Sequence, residues 1–483
     1  MNTNFHSVRS LAEKVELAIA QGRLNAGLNL IHDFVERIIT EPLCTAQVFA
    51  SRELDGLCIK IGRSNLHDAI ESRFYEDVAD VDANITVYIV SRLQSSGGHS
   101  RLVLDFIRAQ PEKNHLILST EISGSSDGDY ILQCLSGIGN VQFKQAPRGD
   151  FRHRLLWLQS ILLRHKPERV HLFNHHQDSV AIAALVPELD LDVSFYHHGD
   201  HHLCLGVYMS HVAHVDLHPM GYHHCRNELA IENCYLPLTF EDKGGTLAAT
   251  CANVGGGLIT ATAARSNKIE IPYYLSYIDL IPHIIKATRG KHIHIGRLTP
   301  WALRRIRKGI RKEGLPKDCF LYIEWVPSVW RALQEHCVDA YIASFPYGAG
   351  LTLIEAMGAS VPVIMHQHMY SRILSGLELA YPEAFHWSDP EDLLAHLEGL
   401  RAEQLVGEKQ LSRAQYEKFH TPEVLVAYLQ KSESSTLAPP PLAREFSPRH
   451  DEWAALIDSQ LNISRLLYRL AYRTLRRLRR WMR

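Results

Sequence analysis

No stretch of the chain approaches the roughly 18–20 uncharged apolar residues that a membrane-spanning helix needs. The N-terminal MNTNFHSVRSLAEKVELAIAQG carries acids in its first turns and lacks the apolar core of a secretory signal, so export by the usual route is not expected. Charge of one sign is missing too. Lys+Arg 51 against Asp+Glu 53 leaves a formal net charge of −2, which argues against nucleic acid as a partner, since binding a polyanion usually shows as a basic domain. Cysteine is sparse. Cys44, Cys58, Cys134, Cys204, Cys225, Cys234, Cys251, Cys319 and Cys337 are scattered without CxxC spacing, suggesting neither a disulfide framework nor a thiolate zinc site. A reducing cytoplasm fits this usage best.

What is present is a globular chain of 483 residues, 46% hydrophobic and 22% charged, long enough for two or three domains. Residues 7–40 carry apolar positions at helical spacing (Leu11, Val15, Ile19, then Leu28, Ile31, Phe34, Ile38), which predicts amphipathic helices. Residues 1–83 read as a helical N-terminal extension. The pattern then changes to ITVYIVSRL (85–93), a Gly-bearing loop, a helical stretch and HLILST (115–120), the opening of a parallel α/β sheet. Strands RVHLFN (169–174), DVSFYHH (192–198) and AHVDLH (213–218) continue it, so 84–250 form one α/β domain. Residues 251–432 form a second, with strands LITATA (258–263), KHIHIG (291–296), CFLYIEW (319–325), AYIASF (340–345) and VPVIMH (361–366). Residues 433–483 are a Ser/Pro linker and a basic tail.

The segment SFPYGAGLTLIEAMGASVPVI, 344–364, ends a strand, passes Gly348 and Gly350 and starts a helix near Leu351. Glycines admit close backbone approach, and a helix start offers free N–H groups and positive potential. A diphosphate suits Gly350, Leu351 and Thr352, and Glu355, a turn on, suits neighbouring ribose hydroxyls. An ordinary strand-to-helix turn, with Glu355 answering the helix dipole, fits the same residues. The segment resembles the donor-binding signature of GT-B glycosyltransferases, particularly the retaining family with an E-x7-E motif before a Gly-x-Pro-Val-Ile strand. Glu355, Ala356, Met357, Pro362, Val363 and Ile364 fall in register with it; Ser360 replaces the glycine and Tyr347 the first glutamate.

The resemblance implies two Rossmann-like domains facing a cleft, a nucleotide diphosphate sugar on the second, and a ribose held by Glu355. It implies transfer with retention, although enzymes with a Ser-Phe-Pro loop and no first glutamate include inverting ones. No cofactor or catalytic metal is expected, because enzymes of this fold meet the leaving diphosphate with side-chain cations and a helix start. Arg265 and Lys268, 90 and 87 positions before Glu355, match that placement. Arg297, in HIHIGRLTP with Lys308 further on, is the alternative; its spacing puts it after the second strand.

In the first domain, Gly97, Gly98 and His99 follow the first strand, at the carboxyl end where parallel sheets bind ligands. They suit a diphosphate or an acceptor. The densest run of the 29 histidines, HHGDHH at 197–202, makes His198 and Asp200 candidates for activating an acceptor hydroxyl, with a polar loop of no chemical role as the plain reading. Adjacent residues on one loop rarely complete a metal's coordination sphere, and no metal site is expected there. The tail 463–483 sets Ile463, Leu466, Leu467, Leu470, Leu475 and Leu478 among eight arginines. This basic amphipathic helix suits the inner face of an anionic membrane, and with it a lipid-linked or other glycan acceptor. A catalytically silent scaffold subunit and a nucleotide-sugar epimerase share the fold and remain the alternatives.

Overall fold

Strands buried on both faces read as continuous apolar runs, and those runs are where the strands lie. The computed structural model describes residues 8–41, 44–72, 85–95, 98–244, 257–348, 350–430, 437–442 and 445–460, with 463, 467, 470, 471 and 474. The chain divides into two compact units, Met1–Asp242 with Glu417–Leu442, and Lys243–Tyr416 with Ala443–Arg483.

The first unit holds β1 (Ile85–Val90), β2 (Asn114–Ser119), β3 (Val141–Gln145), β4 (Arg169–Phe173), β5 (Val193–His197), β6 (Ala213–Asp216) and β7 (Asn233–Tyr235). All pair in parallel, in the order β3-β2-β1-β4-β5-β6-β7. The second unit repeats the plan with β8 (Ile259–Ala263), β9 (Lys291–Ile295), β10 (Phe320–Ile323), β11 (Ala340–Ile342), β12 (Val363–His366) and β13 (His386–Trp387), ordered β10-β9-β8-β11-β12-β13 and again parallel. In each sheet the order reverses once, between β1 and β4 and between β8 and β11. The crevice beyond the carboxyl ends of such a strand pair is where open α/β sheets bind ligands.

The helices Val8–Ala20, Leu24–Ile39 and Arg52–Glu71 belong to the first unit's core. Val15, Leu28, Ile31, Leu57 and Ile61 share one apolar cluster with Val87, Ile89, Leu116 and Leu172. Gly62 lets the third helix touch the backbone beneath it, since a Cβ there would meet the Ala183 carbonyl oxygen at 1.8 Å. Asp55 accepts from the amides of Gly206 (2.8 Å) and Tyr208 (2.9 Å). The segment read as an extension is thus packed onto the sheet. Residues 417–442 also return to this unit: His420 accepts at its carbonyl from Phe240 N (2.8 Å) and donates from Nδ1 to the Leu238 carbonyl (2.7 Å).

In the second unit, the helix His450–Ser459 follows Arg449, whose guanidinium lies 4.4 Å over the Tyr274 ring, and brings Trp453 4.1 Å from Tyr370. Cys337 is disulfide-bonded, which its spacing did not suggest, while Cys44, Cys58, Cys134, Cys204, Cys225, Cys234 and Cys319 are free. Among the described residues no helix is long and apolar enough to cross a membrane.

Ser360 adopts φ 61°, a left-handed conformation that favours glycine, at the position where the resembled motif has one. Ser360→Gly is therefore expected to raise stability by roughly 0.5–1 kcal/mol, the relieved strain exceeding the added freedom of the unfolded chain. A urea melt with no change in midpoint would contradict this.

Candidate functional site

At the carboxyl end of β8 the chain turns through Arg265, exposed, into the short helix Ser266–Ile269. Lys268 on that turn is half-buried. Burial pulls its ammonium below the usual lysine range, and among the described residues no carboxylate or hydrogen-bond partner answers it. A half-buried cation without a counter-charge is costly to keep. Arg297, the alternative, is exposed and lies 3.7 Å from Glu324, and its strand is the second of the sheet.

The loop after β11, next to β8, supplies the other wall. Its backbone is tied to the Lys268 turn by Tyr347 N donating to the Lys268 carbonyl (3.4 Å) and to the 371–375 turn by Gly348 N donating to Leu374 O (3.1 Å). A Cβ on Gly348 would meet that oxygen at 2.8 Å, so only glycine passes there without a shift. The helix Leu351–Gly358 starts at Gly350 with no side-chain cap, leaving its first amides to other partners. The Thr352 hydroxyl accepts from Tyr341 (3.2 Å).

Glu355 is only 7% exposed. Its Oε2 accepts from the amide of Trp330 (3.0 Å) and the hydroxyl of Ser328 (3.2 Å). The carboxylate thus fastens the start of the helix Val329–Glu335 and the 324–328 loop, on which Trp325 stands 66% exposed. Tyr273, four residues past the Ser266–Ile269 helix, ties that segment to the end of β12: its hydroxyl bonds His366 Nε2 (2.8 Å) and accepts from Met369 N (3.0 Å). Sequence reasoning missed that pair, because 93 positions separate the partners.

In the first unit, the carboxyl ends of β1, β4 and β5 gather histidines. Gly97 lies outside the described residues. Gly98 opens the helix Gly98–Arg108, and His99 on it donates from Nε2 to the Phe173 carbonyl (2.8 Å). The His99 ring lies 5.0 Å from His175 and 4.7 Å from His198. The His198 Nδ1 faces the Tyr196 carbonyl at 3.3 Å, so its proton sits there and Nε2 keeps a lone pair. Burial pushes His198 well below the usual histidine range and His175 down to about 3. All three imidazoles are neutral near pH 7. His175 is positioned by Ser91, whose Oγ accepts from the His175 amide (2.8 Å), and by Ser123 Oγ at 3.1 Å from its Nδ1. The loop after β4 therefore supplies one of the three rings.

Asp200 sits apart from these rings. It is 4% exposed, with Oδ2 3.0 Å from His218 Nδ1 and Oδ1 3.4 Å from His201 Nδ1. The facing His218 holds the carboxyl well below its usual range against the cost of burial and is itself raised.

No protein-family model and no curated protein matches the chain. Solved structures do match in shape. A glycosyltransferase from Rickettsia africae is 12% identical, with 72% of this chain and 97% of that one covered and a TM-score of 0.53. Anabaena HepE in complex with UDP is 10% identical, covering 71% of this chain and 98% of that one, with a TM-score of 0.55. An O-GlcNAc transferase mutant from Thermobaculum terrenum is 13% identical, with 88% and 83% covered and a TM-score of 0.50. The two parallel sheets and their helices are the GT-B fold.

Proposed function

Taking that fold as the frame, we propose that the chain is a glycosyltransferase, holding a nucleoside diphosphate sugar on its second unit and activating an acceptor hydroxyl with a histidine of its first. The observation that carries this reading is Lys268, a half-buried cation with no counter-charge among the described residues, on a turn bonded to the loop that ends in an uncapped helix start. An ammonium and a helix N-terminus together suit a diphosphate. They act most strongly as the glycosidic bond breaks and the leaving diphosphate gains charge. Arg265, Gly350, Leu351 and Thr352 complete that contact in this reading. Glu355 fixes the 324–328 loop on which the nucleoside would rest, its carboxylate already engaged by Trp330 and Ser328.

His198 is the acceptor base in this reading. A neutral imidazole with its Nδ1 proton turned to a carbonyl can take a hydroxyl proton at Nε2. Together with Tyr347 in place of a glutamate, this favours direct inverting displacement over retention. His198→Ala is expected to lower turnover by about 10²–10⁴ while leaving nucleotide affinity intact; unaltered turnover would remove the residue from the mechanism. Asp200 supports the 198–202 loop through His218.

The HepE structure contains UDP, so uridine diphosphate is the first ligand to try here. In a thermal-shift panel of UDP, GDP, ADP, CMP and dTDP, one should raise the melting temperature, because a ligand bound only by the folded form stabilises it. No shift from any of them would reject the reading. A shift without transfer to any acceptor would favour the silent scaffold, and a converted free nucleotide sugar the epimerase. In the tail, Ile463, Leu467 and Leu470 are helical and exposed at one-turn spacing, which supports a lipid-linked acceptor met at an anionic surface; the rest of 463–483 lies outside the described residues, apart from 471 and 474.

A further inference from the structure

We propose that the first unit carries a buried structural zinc site made by His197, His214, Asp216 and Cys225. His197 ends β5, and His214 and Asp216 stand two apart on β6, so they share a face of the sheet. Cys225 comes from the helix Pro219–Asn227. One donor atom of each lies within 4.8 Å of all the others. Three of these atoms form a tight triangle: His197 Nδ1 to Asp216 Oδ1 3.0 Å, Cys225 Sγ to Asp216 Oδ1 3.4 Å, and Cys225 Sγ to His197 Nδ1 3.5 Å. Donors about 2.0–2.3 Å from a tetrahedral zinc stand roughly 3.3–3.8 Å apart, so the triangle is close to one face of such a sphere.

His214 supplies the independent sign. It is 5% exposed, and neither ring nitrogen makes a well-formed hydrogen bond among the described residues, although Nε2 stands 3.3 Å from Asp216 Oδ2. A buried imidazole that makes no well-formed hydrogen bond is costly, and a metal on Nε2 offsets that cost. Asn233 Nδ2 donates to Asp216 Oδ2 at 2.5 Å, leaving Oδ1 turned to the cluster in the manner of an outer-sphere support. Two imidazoles, a carboxylate and a thiolate select zinc among common divalent ions. The two anionic ligands balance its charge, which is what burial of an ion requires. Binding displaces the Nδ1 proton that His197 directs at Asp216 and the Cys225 thiol proton, both to solvent, and the ring keeps its proton on Nε2, so the uptake is coupled to proton release. All four residues are buried or nearly so, hence the site is closed and structural, and it ties together the two strands that lead to the 198–202 and 217–218 turns.

The test is the zinc content of the intact protein, purified without a metal-affinity column and dialysed, followed by exchange with cobalt. The expected result is about one zinc per chain and a cobalt spectrum with a thiolate charge-transfer band, both lost in Cys225→Ser. Protein free of zinc, or zinc that persists in Cys225→Ser and so belongs to other histidines, would overturn the proposal. Should Cys225→Ser fail to fold, the cobalt spectrum of the unaltered chain decides: a band from thiolate supports the site, and a spectrum of nitrogen and oxygen ligands alone removes it.

Discussion

Acidified from about pH 7.5 to about pH 5.5, the protein is expected to lose roughly 3–4 kcal/mol of folding stability, because its buried neutral histidines bind protons only once the chain unfolds. Five of the lowered histidines give the scale. His171, His292, His294, His366 and His420 are at most 4% exposed. Burial lowers His171, His292 and His366 to about 3, and His294 and His420 to about 4. Unfolded, each would titrate near its ordinary 6.5. The folded form therefore keeps its full stability above that pH and loses it as the pH falls below, down to the lowered values. Each group costs roughly 1–2 kcal/mol per pH unit in that window. Asp55 and His218 work the other way. Asp55, raised to about 7 by burial, becomes easier to keep folded as it protonates, and His218 is raised beside Asp200. Five against these two leaves a net loss of roughly 3–4 kcal/mol over that interval, a sizeable share of the about 5–15 kcal/mol a domain holds. Tryptophan fluorescence and circular dichroism against pH would record it. An unchanged urea midpoint between about pH 7.5 and about pH 5.5 would show that these imidazoles reach water or counter-charges in the folded state.

Lys268→Met is expected to lower turnover by about 10²–10³ and at the same time to leave the fold as stable or more so. The two effects have one cause. The ammonium sits where burial disfavours its charge and no acid among the described residues repays it, so deleting the charge relieves the folded protein, whereas a leaving diphosphate loses its counter-ion. A residue placed for packing would give the opposite pair of results, lower stability with ordinary turnover. Urea melts and product formation on the same preparation separate the two, and a variant with unchanged turnover would strip Lys268 of its role.

Much of the architecture was legible in the chain because parallel strands buried on both faces are continuous apolar runs, and ITVYIV or ITATA can hardly be anything else. The strands missed were Val141–Gln145, half-exposed at an edge, Asn233–Tyr235 with three residues, and His386–Trp387 with two; too few residues carry a period there. The first-unit share of the core taken by the N-terminal helices, and the return of 417–442, depend on tertiary packing that no local pattern encodes. The Lys268 turn was legible by its spacing from Glu355. The engagement of Glu355 with Trp330 and Ser328 was not, since those partners precede it by 25 and 27 positions. Nor was the split within HHGDHH, where strand alternation turns His197 towards Asp216 and His198 towards His99, although both are simply adjacent histidines in the sequence.

The account stands or falls on whether the turn carrying Lys268 receives a diphosphate. Calorimetric titration of UDP, or of whichever nucleotide the thermal panel selects, into the unaltered chain and into Lys268→Met measures that directly. Binding that weakens by about tenfold or more in the variant, with the melting temperature kept, is the predicted result. Equal affinity in both proteins, or no nucleoside diphosphate bound by the unaltered chain, would contradict it.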